Sequence, residues 1–183
     1  LDKFGYRRGA DGYRMQPNGK PLVLQYFSAP SERDRQFDEL MKRTMDGIGL
    51  RLDIRKERFS EIIKLSHQCR VMMKHGAWIA DYPDGDNFMQ LLYGPNIAQS
   101  NSACYQSRAY DERYEQSRRL PDGAERNKLY REMTRQMETD TAWLLTDSRY
   151  RNVLVHSHVV GFKKHPVMAH EWLYMDVDYT SKP

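Results

Sequence analysis

The chain has 183 residues, a length that suits one domain or one and a half; 39% of the residues are hydrophobic and the formal net charge is +4 at pH 7. Disorder requires a high net charge as well as low hydrophobicity, so this small charge excludes a disordered chain. No apolar stretch approaches the roughly 18 residues that a membrane-spanning helix needs, which excludes such a helix.

The first 80 residues alternate between predicted strands and helices. In chain order, these elements are a strand over 21–27, a helix beginning at Ser31, a strand over 50–54, a short helix around 59–63 and a third strand over 71–80. The third strand is nearly continuous in apolar character, which is typical of buried parallel strands. Strands joined through helices by short connections predict an α/β fold with a mainly parallel sheet flanked by helices.

Spacing signals define both ends of the first long helix. Ser31 and Asp34 stand at the spacing of a capping box, and Gly49 stands where a left-handed helix stop belongs. Apolar residues recur between these ends with the period of an α-helix. The predicted apolar face comprises Phe37, Leu40, Met41, Met45 and Ile48.

The second half of the chain is predicted to be mostly helical, with short strands near its end. Asp86 is placed to cap a short helix, and Tyr110 and Tyr114 mark a longer one. Asp122 and Glu125 have the spacing of a second capping box at the start of a further helix. A loop is predicted over 94–107, and strand-like runs over 143–145, 153–155 and 159–162.

The end of the predicted third strand is the first place to look for a site, because ligands bind beyond the carboxyl ends of parallel strands. There, Asp81 is flanked by Trp78 and Tyr82. A carboxylate in this position can form a charge-assisted hydrogen bond with a ligand cation. The chemistry equally allows a turn aspartate that bonds its own backbone before Pro83, and a tryptophan that belongs to the core.

Other residues with metal-binding, catalytic or redox chemistry give weaker signals. His156 and His158 would share one face of a strand, but a third ligand at defined spacing is missing, so surface histidines are favoured and no metal is predicted. No nucleophile beside a base is visible, which argues against an enzyme. Cys69 and Cys104 are compatible with a disulfide and with two free thiols.

The segment Trp78-Ile-Ala-Asp-Tyr-Pro-Asp-Gly-Asp-Asn-Phe88 resembles the hallmark segment of family 5 extracellular solute-binding proteins, the oligopeptide- and dipeptide-type binding proteins of ABC importers. Further segments resemble this family in the same order along nearly the whole chain. They are Leu1-Asp-Lys-Phe-Gly-Tyr, Asp11-Gly-Tyr, Asn18-Gly-Lys-Pro-Leu, Ile48-Gly-Leu, Asn101 with Tyr105 and Tyr110-Asp111, Arg119-Leu-Pro-Asp, Leu129-Tyr-Arg, and Val160-Gly-Phe.

The resemblance implies a lobe of a periplasmic-binding-protein-like clamshell of type II. Residues 1–147 would form the C-terminal ligand-binding lobe, and residues 148–183 would cross back toward a first lobe whose bulk is absent from this chain. In peptide-binding members of the family, the aspartate of the Trp-x-x-Asp segment holds the α-amino group of the ligand, and that position is Asp81 here. Trp78, Tyr82 and Asn101 join Asp81 as expected ligand-binding residues.

The implied function is capture of a peptide-like or other amine-bearing solute and its delivery to the membrane permease of an ABC importer. The location would be periplasmic or extracellular, and no cofactor is expected. Basic residues are scattered among acidic ones rather than gathered in a stripe, so no nucleic-acid partner is expected either. Two alternatives remain from the residues alone: a hydrolytic enzyme on a similar α/β sheet, and a basic interaction module.

Overall fold

The computed structural model describes residues 1–148, 150–165, 167 and 170–181. The predicted crossover segment 148–183 therefore lies partly outside the described residues, at positions 149, 166, 168, 169, 182 and 183. The strands are β1 (Val23–Ser28), β2 (Arg51–Lys56), β3 (Met73–Lys74), β4 (Val159–Val160) and β5 (Asp176–Val177). The α-helices are α1 (Glu32–Gly47), α2 (Phe59–His67), α3 (Asp86–Met89), α4 (Arg108–Arg118) and α5 (Ala124–Thr139). Single 3₁₀ turns lie at Asp2–Phe4, Gln90–Leu92, Gly94–Asn96, Glu171–Tyr174 and Tyr179–Ser181.

The chain divides into two compact units. The first comprises Leu1–Ala77 and Leu91–Arg108, and the second comprises Trp78–Gln90 and the chain from Ala109 onward. In the first unit, the strands form a parallel sheet in the order β2-β1-β3, with α1 in contact with β2 and α2 in contact with β1. This arrangement confirms the predicted α/β fold with a parallel sheet flanked by helices.

Both predicted ends of α1 are confirmed. The Ser31 hydroxyl accepts a hydrogen bond from the Asp34 amide at 3.1 Å, which caps the first turn. At the other end, the Leu50 amide donates to the Met45 carbonyl at 2.8 Å while Gly49 has a φ of +72°, a left-handed stop of Schellman type. A side chain at Gly49 would collide with the Gly12 carbonyl, 2.9 Å from an added Cβ.

The predicted apolar face of α1 is partly wrong, because Leu40 and Ile48 are 52% and 48% exposed. The buried residue of this helix is Asp38, whose carboxylate accepts a hydrogen bond from the Ser28 hydroxyl at 2.9 Å and pairs with the Lys56 ammonium. Ser28 and Lys56 end β1 and β2 side by side, so the sheet presents a polar pair to this face of the helix. Hydrophobic periodicity cannot reveal a helix face that is completed by a buried carboxylate.

The predicted third strand over 71–80 is also wrong in length and burial. Only the two residues of β3 pair with β1, and Ile79 is 73% exposed. Because β1 ends at Ser28, the later residues have no partner on that strand. Asp81 consequently lies in a loop seven residues after β3, and not at the end of a strand.

In the second unit, the two predicted helices are present. Tyr110 and Tyr114 are buried on α4, and Met133 and Met137 are buried on α5. The Arg113 guanidinium on α4 donates to Gln136 of α5 at 2.7 Å, so the two helices lie side by side.

The two capping predictions in the second half are wrong. Gly85 is the N-cap of α3 and Asp86 is its first residue, while Gly123 is the N-cap of α5. The carboxylate of Asp86 accepts a tyrosine hydroxyl, and that of Asp122 pairs with Arg126 one turn later at 2.6 Å. These carboxylates are therefore engaged by other side chains rather than by helix amides.

The tail contains less strand than its apolar runs suggest. β4 and β5 pair antiparallel, but the runs over 143–145 and 153–155 are not strands. Leu144 and Leu154 are 86% and 98% exposed, so within the described tail these runs have no neighbouring strand to pack against. As for the bilayer, no helix among the described residues has both the length and the apolar character needed to cross it.

Candidate ligand-binding site

The segment from Trp78 to Asn87 is organised by the amide of Asn87, which is 1% exposed. Its Oδ1 accepts hydrogen bonds from Trp78 Nε1 at 2.8 Å and from the Asp81 backbone amide at 3.1 Å. Its Nδ2 donates to Asp81 Oδ2 at 3.2 Å. One buried side chain thus brings together Trp78 and Asp81, two of the residues predicted to form the site.

The carboxylate of Asp81 is exposed and is not balanced by a cation within the part of the chain that the structure describes. Its polar contact is the neutral amide of Asn87. A carboxylate that is fixed in place and lacks a basic partner can pair with a cation supplied by a ligand. The alternative of an aspartate bonded to its own turn is not what the contacts show.

A neighbouring acid, Asp84, is already paired. Its carboxylate accepts from Arg126 Nη1 at 2.7 Å, from the Tyr130 hydroxyl at 3.3 Å and from the Asp86 amide at 2.8 Å. The hydrogen bond from Arg126 lowers the pKa of Asp84 below its usual range. The side chain of Arg126 is only 11% exposed, so this ion pair fastens the loop to α5.

The close approach of the Tyr130 ring to this loop explains why a glycine follows Asp84. A Cβ added to Gly85 would lie 2.8 Å from the ring of Tyr130, closer than real side chains approach. Burial raises the pKa of the Tyr130 hydroxyl to about 12, so this group stays protonated and keeps its donor role.

Tyr82 is a further exposed side chain of the segment from Trp78 to Asn87. Its hydroxyl donates to Asp86 Oδ2 at 2.8 Å, and its side chain remains exposed, as does that of Trp78. Partial burial, followed by the hydrogen bond to Asp86, raises the pKa of Tyr82 above its usual value. Trp78 and Tyr82, which precede and follow Asp81 in sequence, are therefore each held by a hydrogen bond through the polar end of the side chain.

The fourth predicted site residue, Asn101, lies in the other unit and is fully buried. Its Nδ2 donates to the carbonyls of Tyr93 and Tyr105 at 3.0 and 2.9 Å, and its Oδ1 accepts from the Tyr105 amide at 3.2 Å. Nearby in sequence, Cys104 forms a disulfide with Cys69, which resolves the question left open by the sequence. The contacts of Asn101 hold the fold of its own loop.

Sequence reasoning missed the two residues that fix this segment. Asn87 stands within the family-like motif, but nothing in its neighbours predicts that its amide reaches Trp78 and Asp81. Arg126 follows Asp122 by one helical turn, a spacing that indicates an ion pair on the helix surface and gives no hint of Asp84. Among the described residues, no group of three or more histidine, cysteine, aspartate or glutamate side chains could hold a metal ion.

Comparison with known proteins gives two sequence relatives, although no family model matches the chain. The chain is 24% identical over 159 residues to "Di/tripeptide-binding protein 2" of Pseudomonas aeruginosa strain UCBPP-PA14, a match covering 86% of the chain and 30% of the relative. It is 22% identical over 95 residues to the periplasmic oligopeptide-binding protein OppA of Salmonella typhimurium, covering 52% of the chain and 17% of the relative. The chain thus spans less than a third of the length of these relatives.

The fold agrees with the sequence matches. The periplasmic binding protein DppA of Helicobacter pylori, solved with the peptide STSA, matches with a TM-score of 0.71 at 21% identity, over 88% of this chain and 32% of DppA. This likeness shows that the chain has part of the periplasmic-binding-protein fold. Sequence and fold together confirm the resemblance drawn from the motifs: over most of its length the chain is similar to one part of these oligopeptide- and dipeptide-type binding proteins.

Proposed function

We propose that this chain supplies a ligand-binding lobe of a periplasmic or extracellular solute-binding protein that serves an ABC importer. Residues 1–147 form the lobe in this proposal, and residues 148–183 lead back to the other lobe. The relatives are about three times longer than the matched region, which supports a cleft completed by a further part of the protein. The role is capture and delivery of a solute, and not catalysis.

The observation that supports this function best is the uncompensated carboxylate of Asp81. The ligand in this proposal is peptide-like or otherwise bears an amine, and its ammonium group pairs with this carboxylate. Trp78 and Tyr82 offer aromatic surface on either side in sequence. A hydrogen bond to a charged group is worth about 1.5–3 kcal/mol net, which corresponds to roughly a 10- to 150-fold difference in affinity.

Delivery follows from closure of two lobes around the solute. A ligand that contacts both lobes favours the closed form in proportion to its differential affinity for the two states. Closure removes water from the cleft, and the lower dielectric strengthens the pairing between Asp81 and an ammonium group. The permease would then bind a surface present only in the closed form. Asn101, whose amide is engaged by its own loop, would contribute by positioning that loop.

The test uses the full protein that contains this chain and isothermal titration with a panel of dipeptides and tripeptides that includes Ala-Ala-Ala. We expect at least one peptide with a free amino terminus to bind. Asp81→Asn and Asp81→Ala should each weaken that binding at least about tenfold, because the ammonium loses its charged partner. N-acetylation of the peptide should cause a similar loss in the wild-type protein.

Asp147→Asn is the matched control, since it removes the same charge from an exposed aspartate. Its affinity should equal that of the wild type. Unchanged affinity in Asp81→Asn, or equal binding of the N-acetylated peptide, would refute the amine site.

A further inference from the structure

Asn87 is the group to which both Trp78 and Asp81 are bonded. We propose that it is a positioning residue, which holds the Asp81 carboxylate and the Trp78 indole as one rigid recognition element for an amine-bearing ligand. The role in ligand recognition rests on the proposed function. The hydrogen bonds of Asn87 are observed in the structure and do not depend on that function. Two of them end on side chains that are themselves exposed.

The chemistry of the three bonds requires an amide. The Trp78 indole N–H and the Asp81 backbone N–H are donors and need an acceptor, while the Asp81 carboxylate needs a donor. A carboxylate at position 87 could not donate to Asp81, and a hydroxyl offers a single donor on a shorter side chain. An apolar residue would leave polar groups of the segment without their partner, at a cost in free energy for each buried one.

The backbone that carries this amide is itself anchored. The backbone N–H of Asn87 donates to the backbone carbonyl of Asp84 at 3.2 Å, within the turn that leads into α3. The Asp84 carboxylate is in turn held by Arg126 of α5. The amide therefore sits on a fixed turn, and its geometry is transmitted to the two exposed groups.

This arrangement leaves a defined surface for a ligand. Asn87 engages Oδ2 of Asp81, and within the described residues Oδ1 of the same carboxylate has no hydrogen-bond donor. The indole is bonded through its N–H edge, so its rings remain available for contact. An ammonium group on Oδ1 would meet a carboxylate that cannot rotate freely, which reduces the ordering cost of binding.

The first test needs no ligand. In ¹H–¹⁵N spectra of the full protein, the indole N–H of Trp78, assigned through Trp78→Phe, should shift and exchange faster with solvent in Asn87→Ala. Met133→Ala is the control for lost stability, because Met133 is a fully buried core residue of α5. It should leave the Trp78 signal in place, and an unchanged signal in Asn87→Ala would overturn the proposal.

The second test asks whether Asn87 acts through Asp81. Binding of Ala-Ala-Ala, or of the tightest tripeptide in the panel, should weaken about tenfold in Asn87→Ala. In the Asp81→Asn background the same change should weaken it less than about twofold further, because the group it positions has already lost its charge. Additive losses, or no loss in the single variant, would overturn the proposal. If Asp81→Asn alone has no effect, the amine site itself fails, and the Trp78 signal still decides whether Asn87 fixes the segment.

Asn87→Asp provides a variant of nearly equal size if the alanine protein does not fold. It keeps an acceptor for the indole but places a second carboxylate where Nδ2 now donates to Asp81. We expect the Trp78 signal to stay, and the pH below which the tripeptide is released to rise, because neighbouring carboxylates favour protonation. Wild-type pH dependence in Asn87→Asp would contradict the contact with Asp81.

Discussion

Two segments of this chain are each organised by a buried asparagine, but the two amides bond to different kinds of groups. Asn101 donates to and accepts from main-chain atoms of Tyr93 and Tyr105. Asn87 bonds to the side chains of Trp78 and Asp81, which are exposed, as well as to one main-chain amide. The first amide closes a loop on itself, whereas the second fixes groups that face solvent.

A buried asparagine amide can therefore have two different effects, depending on the groups to which it bonds. A buried amide that satisfies main-chain groups stabilises the loop, since each of those groups would otherwise be left without a partner. A buried amide that holds exposed side chains also determines how those side chains meet a ligand. We therefore expect loss of the Asn101 amide to lower the free energy of unfolding, and loss of the Asp81 charge to lower affinity.

The largest expected effect concerns the disulfide that ties the Asn101 loop to the end of α2. The bond between Cys69 and Cys104 spans a sequence separation of 35 residues. In the chain-entropy model, its removal in the double variant Cys69→Ser/Cys104→Ser lowers the free energy of unfolding by about 4 kcal/mol. Urea unfolding of the purified protein measures this loss, and reduced wild-type protein should match the variant. A loss below about 1 kcal/mol would show that the loop holds itself without the disulfide.

Replacing the amide in the same loop comes next. Asn101→Ala removes partners from two carbonyls and one backbone N–H, and it should lower the free energy of unfolding by about 3 kcal/mol. Asn127→Ala, on an exposed position of α5, should change it by less than about 0.5 kcal/mol. Tripeptide affinity measured on the folded variant sharpens the comparison: an affinity within about twofold of wild type supports a role confined to the fold of its own loop, while a tenfold loss would show that the Asn101 loop takes part in binding.

The ion pair that fastens the Asp81 segment should give a smaller effect that depends on pH. Because Arg126 holds the pKa of Asp84 below the ordinary 3.8, the unfolded chain takes up a proton that the folded protein resists. The stability from this pair is therefore complete above about pH 4–5 and is lost as pH falls through the lowered pKa. We expect Asp84→Asn to lower the free energy of unfolding by about 2 kcal/mol at pH 6.

The difference between Asp84→Asn and wild type should shrink as pH falls through the lowered pKa of Asp84, because the protonated carboxyl group is uncharged like the asparagine amide. Urea unfolding at a series of pH values measures this difference in the free energy of unfolding. Asp122→Asn is the control, because the side chain of Asp122 is 90% exposed although it contacts the same arginine. A difference that stays constant with pH would argue against the ion pair as the fastening contact.

Local signals in the sequence predicted both ends of α1 but not the N-caps of α3 and α5. Ser31, Asp34 and Gly49 defined both ends of α1, because a cap and a left-handed stop need only adjacent main-chain groups. The extent of the third strand was not predictable in this way. It is set by where β1 ends, and apolar character alone does not show whether a neighbouring strand is present.

The candidate site could be located from the sequence, but its construction could not. The family-like motif identified Asp81 and Trp78, whereas the role of Asn87 depends on a turn that folds the motif back on itself. Asp38 shows the same limit in the first unit. Its burial depends on Ser28 and Lys56, which two separate strands bring to one place.

The smallest expected effect on stability belongs to Asp81, the residue with the largest expected effect on binding. Its carboxylate is exposed and its one polar side-chain partner among the described residues is Asn87, to which an asparagine oxygen could also bond. Asp81→Asn should therefore change the free energy of unfolding by less than about 0.5 kcal/mol. Urea unfolding and tripeptide titration of the same preparation should show that Asp81→Asn keeps stability and loses affinity. Asn101→Ala should show the reverse, a loss of stability with unchanged affinity. A loss of more than about 2 kcal/mol in Asp81→Asn would make this aspartate a structural residue like Asn101, and the distinction between the two segments would fail.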